Sequence, residues 1–359
     1  MRLLVAMSGG VDSSVAALLL QQAGHTCVGC TMKLYDGEEG EGHTCCALSD
    51  VEDARSVAYR LGMRHYTFNF TQAFRESVMQ PFAESYRCGM TPNPCLDCNR
   101  EMKFGRLLER ALVLGYDGVA TGHYARIAQK DGKYLLKKAA DEGKDQSYVL
   151  YDLTQAQLAH LAFPLGELRK EQVRALAGEH GFCNAGKPDS QDICFVPDGD
   201  YARVVEELTG EKAPPGAFID AAGHRLGTHR GIVHYTVGQH KGLGLGGPEK
   251  YYVCRIRPED NTVQLGPETA LYTASLHLPQ MHWIAGQAPD ASFRCKVKLR
   301  YRQKEQWATV TPEGAGVAVR FDAPQRAVTP GQAAVLYDGD TVLGGGRIPP
   351  MGAGEEDGV

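Results

Sequence analysis

Short apolar runs alternate with longer stretches of helical periodicity over the first 120 residues. Residues 2–7 (RLLVAM) form an apolar run of strand length. Residues 11–22 then carry small and apolar side chains at helical spacing, closed by Gly24. Residues 25–33 predict a second strand. Residues 49–61 predict a helix with Ser49 as its cap and acids in its first turn. A third strand is expected over 65–70, a helix over 71–86, and a helix over 101–114 leading into a strand at 118–120. Strands alternating with helices in this way imply a parallel sheet, whose ligands bind beyond the carboxyl ends of its strands.

The pattern changes after about residue 197. The run Ala213-Pro-Pro-Gly216 is a linker-like break. Residues 216–266 are rich in Gly and His, with short strands such as 251–256. From about residue 270 onward, short alternating strands are punctuated by Gly and Pro, as in a β-barrel or sandwich. The expected fold is therefore α/β. A parallel-sheet domain spans 1–197, a small β-rich domain 198–268, and a β-barrel 269–351. The tail 352–359 (GAGEEDGV) is expected to be disordered. No run of about 18 apolar residues is present, so no membrane partner is expected. The opening apolar run is too short for a signal peptide, which predicts a cytoplasmic protein.

The 359 residues carry 38 Lys+Arg against 43 Asp+Glu, a net charge of −5. That total points away from nucleic acid. The distribution points back towards it. Acids gather in 36–41, 50–53 and 355–357, whereas every even position from Arg294 to Lys304 is basic, with no acid among them. The odd positions there are mostly apolar, so a strand over 293–304 would have one apolar face and one positive face suited to phosphates. Eleven cysteines, an odd number, with no export signal predict thiols rather than a disulfide framework.

Ser8-Gly9-Gly10-Val11-Asp12-Ser13-Ser14 lies between the first strand and the first helix. Two glycines let the backbone approach an anion, and the amides of a helix N-terminus have no partners of their own. The Walker spacing is absent. Cys27 and Cys30 share a predicted strand, where residues three apart face opposite ways, so both read as core thiols. Cys45 and Cys46, with His43 nearby, are either a partial metal site or incidental. The segment Thr91-Pro-Asn-Pro-Cys95-Leu-Asp-Cys98-Asn99 is stiffened by two prolines that exclude regular structure. A helix starting near Asn99 would put Cys98 at its N-terminus, where the dipole favours a thiolate. Cys95 and Cys98 also have the spacing of redox pairs and of metal or cluster ligands. Cys194, in DSQDICF (189–195), would be an ordinary buried thiol if taken alone.

SGGVDSS resembles the PP-loop of ATP pyrophosphatases. With TPNPCxxCNxxxKF (91–104), ATGHYA (120–125), KDQSY (144–148), DSQDICF, TxGQxKGLG (236–244) and KLRYR (298–302) in this order, the chain resembles the tRNA-specific 2-thiouridylases. The resemblance implies that ATP adenylates the C2 oxygen of the wobble uridine in tRNA(Lys), tRNA(Glu) and tRNA(Gln), releasing pyrophosphate. It implies ATP contacts from Ala6, Met7, Ser8, Gly9, Gly10, Val11, Asp12, Ser13, Met32 and Gly122, with Asp12 helping to hold Mg²⁺. Cys194 matches a cysteine that receives a persulfide from a sulfur-carrier protein or cysteine desulfurase. Cys98 matches the nucleophilic partner that helps release the sulfur, leaving a Cys98–Cys194 disulfide to be reduced. Asn93, Pro94 and Cys95 match the loop around the target base. Many relatives have Asp where this chain has Cys95, and Asp97 is a nearby substitute for it. A second reading has Cys95, Cys98 and Cys194 bind a [4Fe–4S] cluster. His123, Lys144, Asp145, Gln146, Arg300, Tyr301 and Gln332 match positions that contact tRNA. Two other classes compete with this one. A nitrogen-transferring PP-loop ligase leaves Cys98 and Cys194 unexplained, and an RNA-binding module with structural zinc leaves the Ser8–Ser14 loop unexplained.

Overall fold

A computed structural model describes residues 1–35, 48–189, 192–246 and 250–350. The acidic stretch 36–41, His43, Cys45, Cys46 and the tail 352–359 lie outside the described residues. Among those described, no helix is long and apolar enough to cross a membrane.

The first domain is built on β1 (Arg2–Ala6), α1 (Val11–Gln22), β2 (Thr26–Lys33), α2 (Leu48–Arg60) and β3 (His65–Asn69). Two long helices follow, α3 over 71–87 and α4 over 94–113, then β4 (Gly118–Ala120). A short strand, Leu161–Ala162, completes a five-stranded parallel sheet in which β3, β2, β1, β4 and that strand lie side by side. Strand alternation divides the core. Leu3 and Val5 pack with α1 and α2 on one face, whereas Leu4 and Val119 pack with Leu107, Leu108 and Ala111 of α4 on the other. Each fully buried Leu or Val adds roughly 1.5–3 kcal/mol of burial free energy. Cys27 falls in the first cluster and Cys30 in the second, as two strand residues three apart must.

Three helices differ from the sequence expectation. α2 begins at Leu48, so Ser49 lies inside its first turn and is not its cap. There Asp50 is buried and ion-paired to Lys187. α3 and α4 each contain a π-helical stretch, Arg75–Met79 and Cys98–Leu107. Finally, α4 starts at Pro94 rather than near Asn99. Pro94 takes the first helical position, where a missing N–H costs nothing and the fixed φ suits the turn. Asn93 caps it, its side chain accepting from the Cys95 amide at 3.1 Å.

A hairpin follows β4: β5 (Ala125–Lys130) and β6 (Lys133–Lys138). Its two-residue turn is Asp131-Gly132, both with positive φ (51° and 76°), the pairing that type I′ turns require. The hairpin belongs to the C-terminal sheet rather than the parallel one, through β6 against Thr341–Arg347. A helix at Lys170–Glu179, here α5, packs against α1.

The central domain is α6 (Tyr201–Thr209) with a four-stranded sheet of Gly216–Ile219, Arg225–His229, Tyr252–Arg257 and Thr262–Gly266. The C-terminal sheet runs in the order Tyr272–Leu278, Gly316–Arg326, Gln306–Glu313, Phe293–Lys298, Ala333–Asp338, Thr341–Arg347 and then the β6–β5 hairpin. An aromatic cluster of Phe74, Phe82, Tyr86, Phe195, Phe218 and Tyr235 joins α3 to the central domain. The strand expected over 293–304 ends at Lys298, and 299–304 turn away. The alternation of buried and outward residues holds from 293 to 299.

Candidate active site

Two glycines let the turn after β1 close tightly. Gly9 has φ +77°, and a Cβ there would sit 2.3 Å from the Asp50 carbonyl oxygen. Gly10 caps α1 in an extended conformation without a side-chain bond. The Ser13 and Ser14 hydroxyls both donate to the Gly10 carbonyl at 3.0 Å, and Ser13 Oγ accepts from the Ser8 amide at 3.2 Å. The serines thus brace the loop, and the first amides of α1, which have no intrahelical partners, are suited to an anion. Ala6 ends β1, and the buried Met7 links to β2 through its amide, which donates to the Cys30 carbonyl at 2.7 Å. The buried Asn184 closes the back of the loop, donating to the Gly9 carbonyl and to Ser14 Oγ at 2.8 and 2.9 Å.

Gly122, beyond β4, meets the same helix start. A Cβ on it would lie 2.8 Å from the Asp12 carbonyl carbon and the Ser13 amide. Next to it, His123 is buried between Phe104 and Phe163. Its Nε2 lies 3.5 Å from the Lys103 ammonium and its Nδ1 2.7 Å from Thr121 Oγ1. An ammonium can only donate, so Nε2 is the acceptor and Nδ1 carries the proton. Burial, with the Lys103 charge beside the ring, pushes the His123 pKa well below its ordinary value and keeps it neutral.

A chain of charges that the sequence did not reveal runs across the front of the loop. The Asp12 carboxylate accepts from Lys170 at 2.7 and 2.9 Å and from the Tyr124 hydroxyl at 2.8 Å. Lys170 also reaches Asp189 at 2.7 Å, and Asp189 pairs in addition with Lys144 and Arg174 at 2.7 and 2.8 Å. Burial alone would raise the Asp189 pKa, but the hydrogen bonds from Lys144 and Lys170 outweigh it and bring the carboxyl down to about 2. Magnesium is usually held by one or two carboxylates plus substrate phosphates. Asp12 fits that role, with an ammonium already balancing its charge.

The cysteines divide differently from the expectation. Cys95 occupies the first turn of α4, where the dipole acts, and Cys98 lies a turn further in, where the π-helical stretch begins. Cys95 is exposed. Cys98 and Cys194, both partly buried, pack against the aromatic cluster of α3 and the central domain, alongside Met32 and Tyr35 from the end of β2. Tyr35 donates to the Cys194 carbonyl at 2.5 Å. The second reading, a cluster on Cys95, Cys98 and Cys194, gains no support from the structure. Among the described residues, no three His, Cys, Asp or Glu side chains are placed to hold a metal. Cys98 packs against the apolar cluster, whereas Cys95 is exposed.

Asp97, the nearby substitute expected for the absent Asp, is engaged by two arginines. Its Oδ1 is held by Arg347 at 2.6 Å and by Arg100 at 3.2 Å. The barrel supports this helix closely. Gln332 donates to the Thr91 carbonyl at 2.7 Å, and the Thr91 amide donates to the Pro330 carbonyl at 2.8 Å. Several residues expected to meet RNA also hold protein groups. Asp145 accepts from the Ala139 and Ser147 amides, and Gln146 Oε1 from the Tyr124 amide. Arg300 donates to the Arg326 and Ala327 carbonyls at 2.5 and 3.1 Å. The positive face on Phe293–Lys298 is also less bare than its own sequence implies, because Asp322 from Gly316–Arg326 pairs with Arg294.

Residues 1–198 match the family described as tRNA methyl transferase HUP domain, 203–267 its PRC-barrel domain, and 273–348 the aminomethyltransferase beta-barrel domain. The tRNA-specific 2-thiouridylase MnmA of Acetivibrio thermocellus is 49% identical over 354 residues, covering 97% of this chain and 99% of that one. The protein of the same name from Carboxydothermus hydrogenoformans is 49% identical over 356 residues, covering 97% of each chain. Agreement at this level along both chains means that the protein belongs to the tRNA-specific 2-thiouridylase family.

Proposed function

We propose that the protein thiolates the C2 position of the wobble uridine in tRNA(Lys), tRNA(Glu) and tRNA(Gln), using ATP and a cysteine-borne sulfur. The observation that carries the reading is that Cys98, Cys194 and Met32, the last near the end of β2, all border one apolar cluster that runs from α3 into the central domain. The loop after the neighbouring strand β1 is the anion site, so adenylation and sulfur delivery fall on the same side of the sheet.

The C2 carbonyl of a uridine is a poor electrophile. Transfer of AMP from ATP to its oxygen creates a leaving group, and pyrophosphate departs. The amides around Gly9 and Gly10 suit the phosphates, and Asp12 would help hold a Mg²⁺ that offsets their charge. A persulfide on Cys194 then attacks C2 through its outer sulfur, and AMP leaves. The Cys98 thiolate attacks the inner sulfur and takes over its bond, so the outer sulfur remains on the base. The products are a thiocarbonyl and a Cys98–Cys194 disulfide, which an external dithiol reduces. A separate sulfur-carrier protein or cysteine desulfurase must supply the persulfide. The wobble base is stacked in its loop and must be splayed out to react. The loop Asn93–Cys95, with Lys144, Tyr301 and the braced residues His123, Asp145, Gln146, Arg300 and Gln332 around it, is the surface proposed to receive it.

Incubation with ATP, a persulfide donor and each tRNA, followed by nucleoside mass spectrometry, tests this reading. The expected result is a gain of one sulfur in place of one oxygen at the wobble uridine, with one pyrophosphate released per thiolation. Pyrophosphate release that ignores tRNA would overturn it.

A further inference from the structure

The chain has two tryptophans, and Trp307 leaves 51% of its surface in solvent on the outer face of the barrel. It stands on Gln306–Glu313 directly opposite Lys296 of Phe293–Lys298. The Arg294 guanidinium and the Lys296 ammonium lie over its ring, 5.6 and 5.5 Å from the centroid. Arg294 is aimed by a two-pronged pair with Asp322 at 2.6 and 2.7 Å and by the Thr309 hydroxyl. Among the described residues, Lys296, Arg302, Lys304 and Arg320 form no ion pair.

Two residues further along the strand, about 7 Å away, Lys298 places its ammonium over Tyr148 and Tyr301, at 5.9 and 5.8 Å. Tyr148 in turn packs in one core cluster with Leu96 of the first turn of α4. An aromatic and cationic track therefore leads from Trp307 to the first turn of α4. Exposure alone would mean little, since Tyr59 and Tyr272 are exposed too, but Trp307 is held in water between two cations. For a protein partner the ring would be expected among apolar neighbours. Here its neighbours are Arg, Lys and Thr, the combination that receives an unpaired nucleobase and its phosphates.

We propose that Trp307, flanked by Arg294 and Lys296, is a stacking platform for an unpaired base of the same RNA strand that brings its target uridine to Asn93–Cys95. This rests on the reading of the protein as a tRNA thiolase. The platform acts by positioning and lies away from the reacting carbonyl.

Replacing Trp283 with Phe leaves Trp307 as the lone tryptophan, whose fluorescence is then titrated with an anticodon stem–loop and with a blunt RNA duplex carrying the same number of phosphates. Saturable quenching by the stem–loop alone is expected. In the otherwise unaltered protein, Trp307→Ala should weaken stem–loop binding about tenfold, with KM for tRNA raised in step and kcat unchanged, and Trp307→Phe should restore most of the affinity. Equal quenching by the duplex, or unchanged affinity of Trp307→Ala while the parent binds and thiolates tRNA, overturns the platform and leaves the thiolase reading standing. A parent that neither binds nor thiolates tRNA overturns both.

Discussion

Cys27-Val-Gly-Cys30 and Cys95-Leu-Asp-Cys98 have the same spacing and opposite fates. The first pair lies on a strand, so its thiols enter separate cores on the two faces of the parallel sheet. Burial pushes both thiols above their ordinary range, which leaves them protonated and inert. The second pair lies on the opening turns of a helix capped by Asn93 and started by Pro94. One thiol meets solvent, and the other borders the cluster that Cys194 shares. Spacing alone therefore carries no chemistry. The backbone beneath it decides whether two sulfurs can be reached, and from which side.

The largest effect that could break this contrast is on the sulfur step. Cys194→Ser and Cys98→Ser should each lower thiolation by on the order of 10³-fold or more, because each removes a reacting sulfur. Pyrophosphate release in the presence of tRNA should persist in Cys194→Ser, since adenylation precedes sulfur transfer. Cys30→Ser should instead cost about 1–3 kcal/mol of stability by burying an unpaired hydroxyl. Thiolation per folded molecule should then be unchanged. Thermal melts and nucleoside mass spectrometry on the three variants decide the matter. Thiolation lost in Cys30→Ser at full folding would end the distinction.

A smaller effect tests whether backbone shape, rather than residue type, makes the anion site. Gly9→Ala adds one methyl group to a residue at φ +77°, 2.3 Å from the Asp50 oxygen. The left-handed conformation costs about 1–2 kcal/mol for an L-residue, and the clash must also move α2 or the loop. The KM for ATP in tRNA-dependent pyrophosphate release should rise about tenfold or more, while tRNA affinity holds. Gly24→Ala is the control. It has a similar φ of +82° but nothing within 4 Å of the added atom, so it should lose stability only.

What could be read in advance follows the same division. The strand–loop–helix unit at residues 2–22 was legible because period and glycine placement are local properties. Cys27 and Cys30 were legible as core thiols for the same reason. The start of α4 lies earlier than the two prolines suggest, because Pro94, just after Asn93, is a helix-start signal rather than a breaker. The β5–β6 hairpin carried a legible Asp-Gly turn, yet nothing local ties its strands to a sheet formed 200 residues later. The ion chain from Asp12 through Lys170 to Asp189 has no periodicity at all, because its members meet only after folding. The basic face was overcounted for a related reason. Asp322, which pairs with Arg294, comes from two strands away.

The smallest effect extends the contrast from sulfur to imidazole. His123 is buried as Cys30 is, and burial together with the Lys103 charge pushes its pKa well below 6.5. In the unfolded chain the ring takes up a proton near pH 6.5, whereas in the folded protein it stays neutral. Below that pH the unfolded state binds more protons, so stability must fall as pH falls. One such group contributes a slope of at most about 1.4 kcal/mol per pH unit. Denaturant titrations between pH 7 and 5 should therefore show a shallower decline in His123→Gln than in the parent, even if that variant is less stable at pH 7. Equal slopes would mean that the ring is protonated in place beside Lys103. Burial would then silence thiols in this fold but not imidazole.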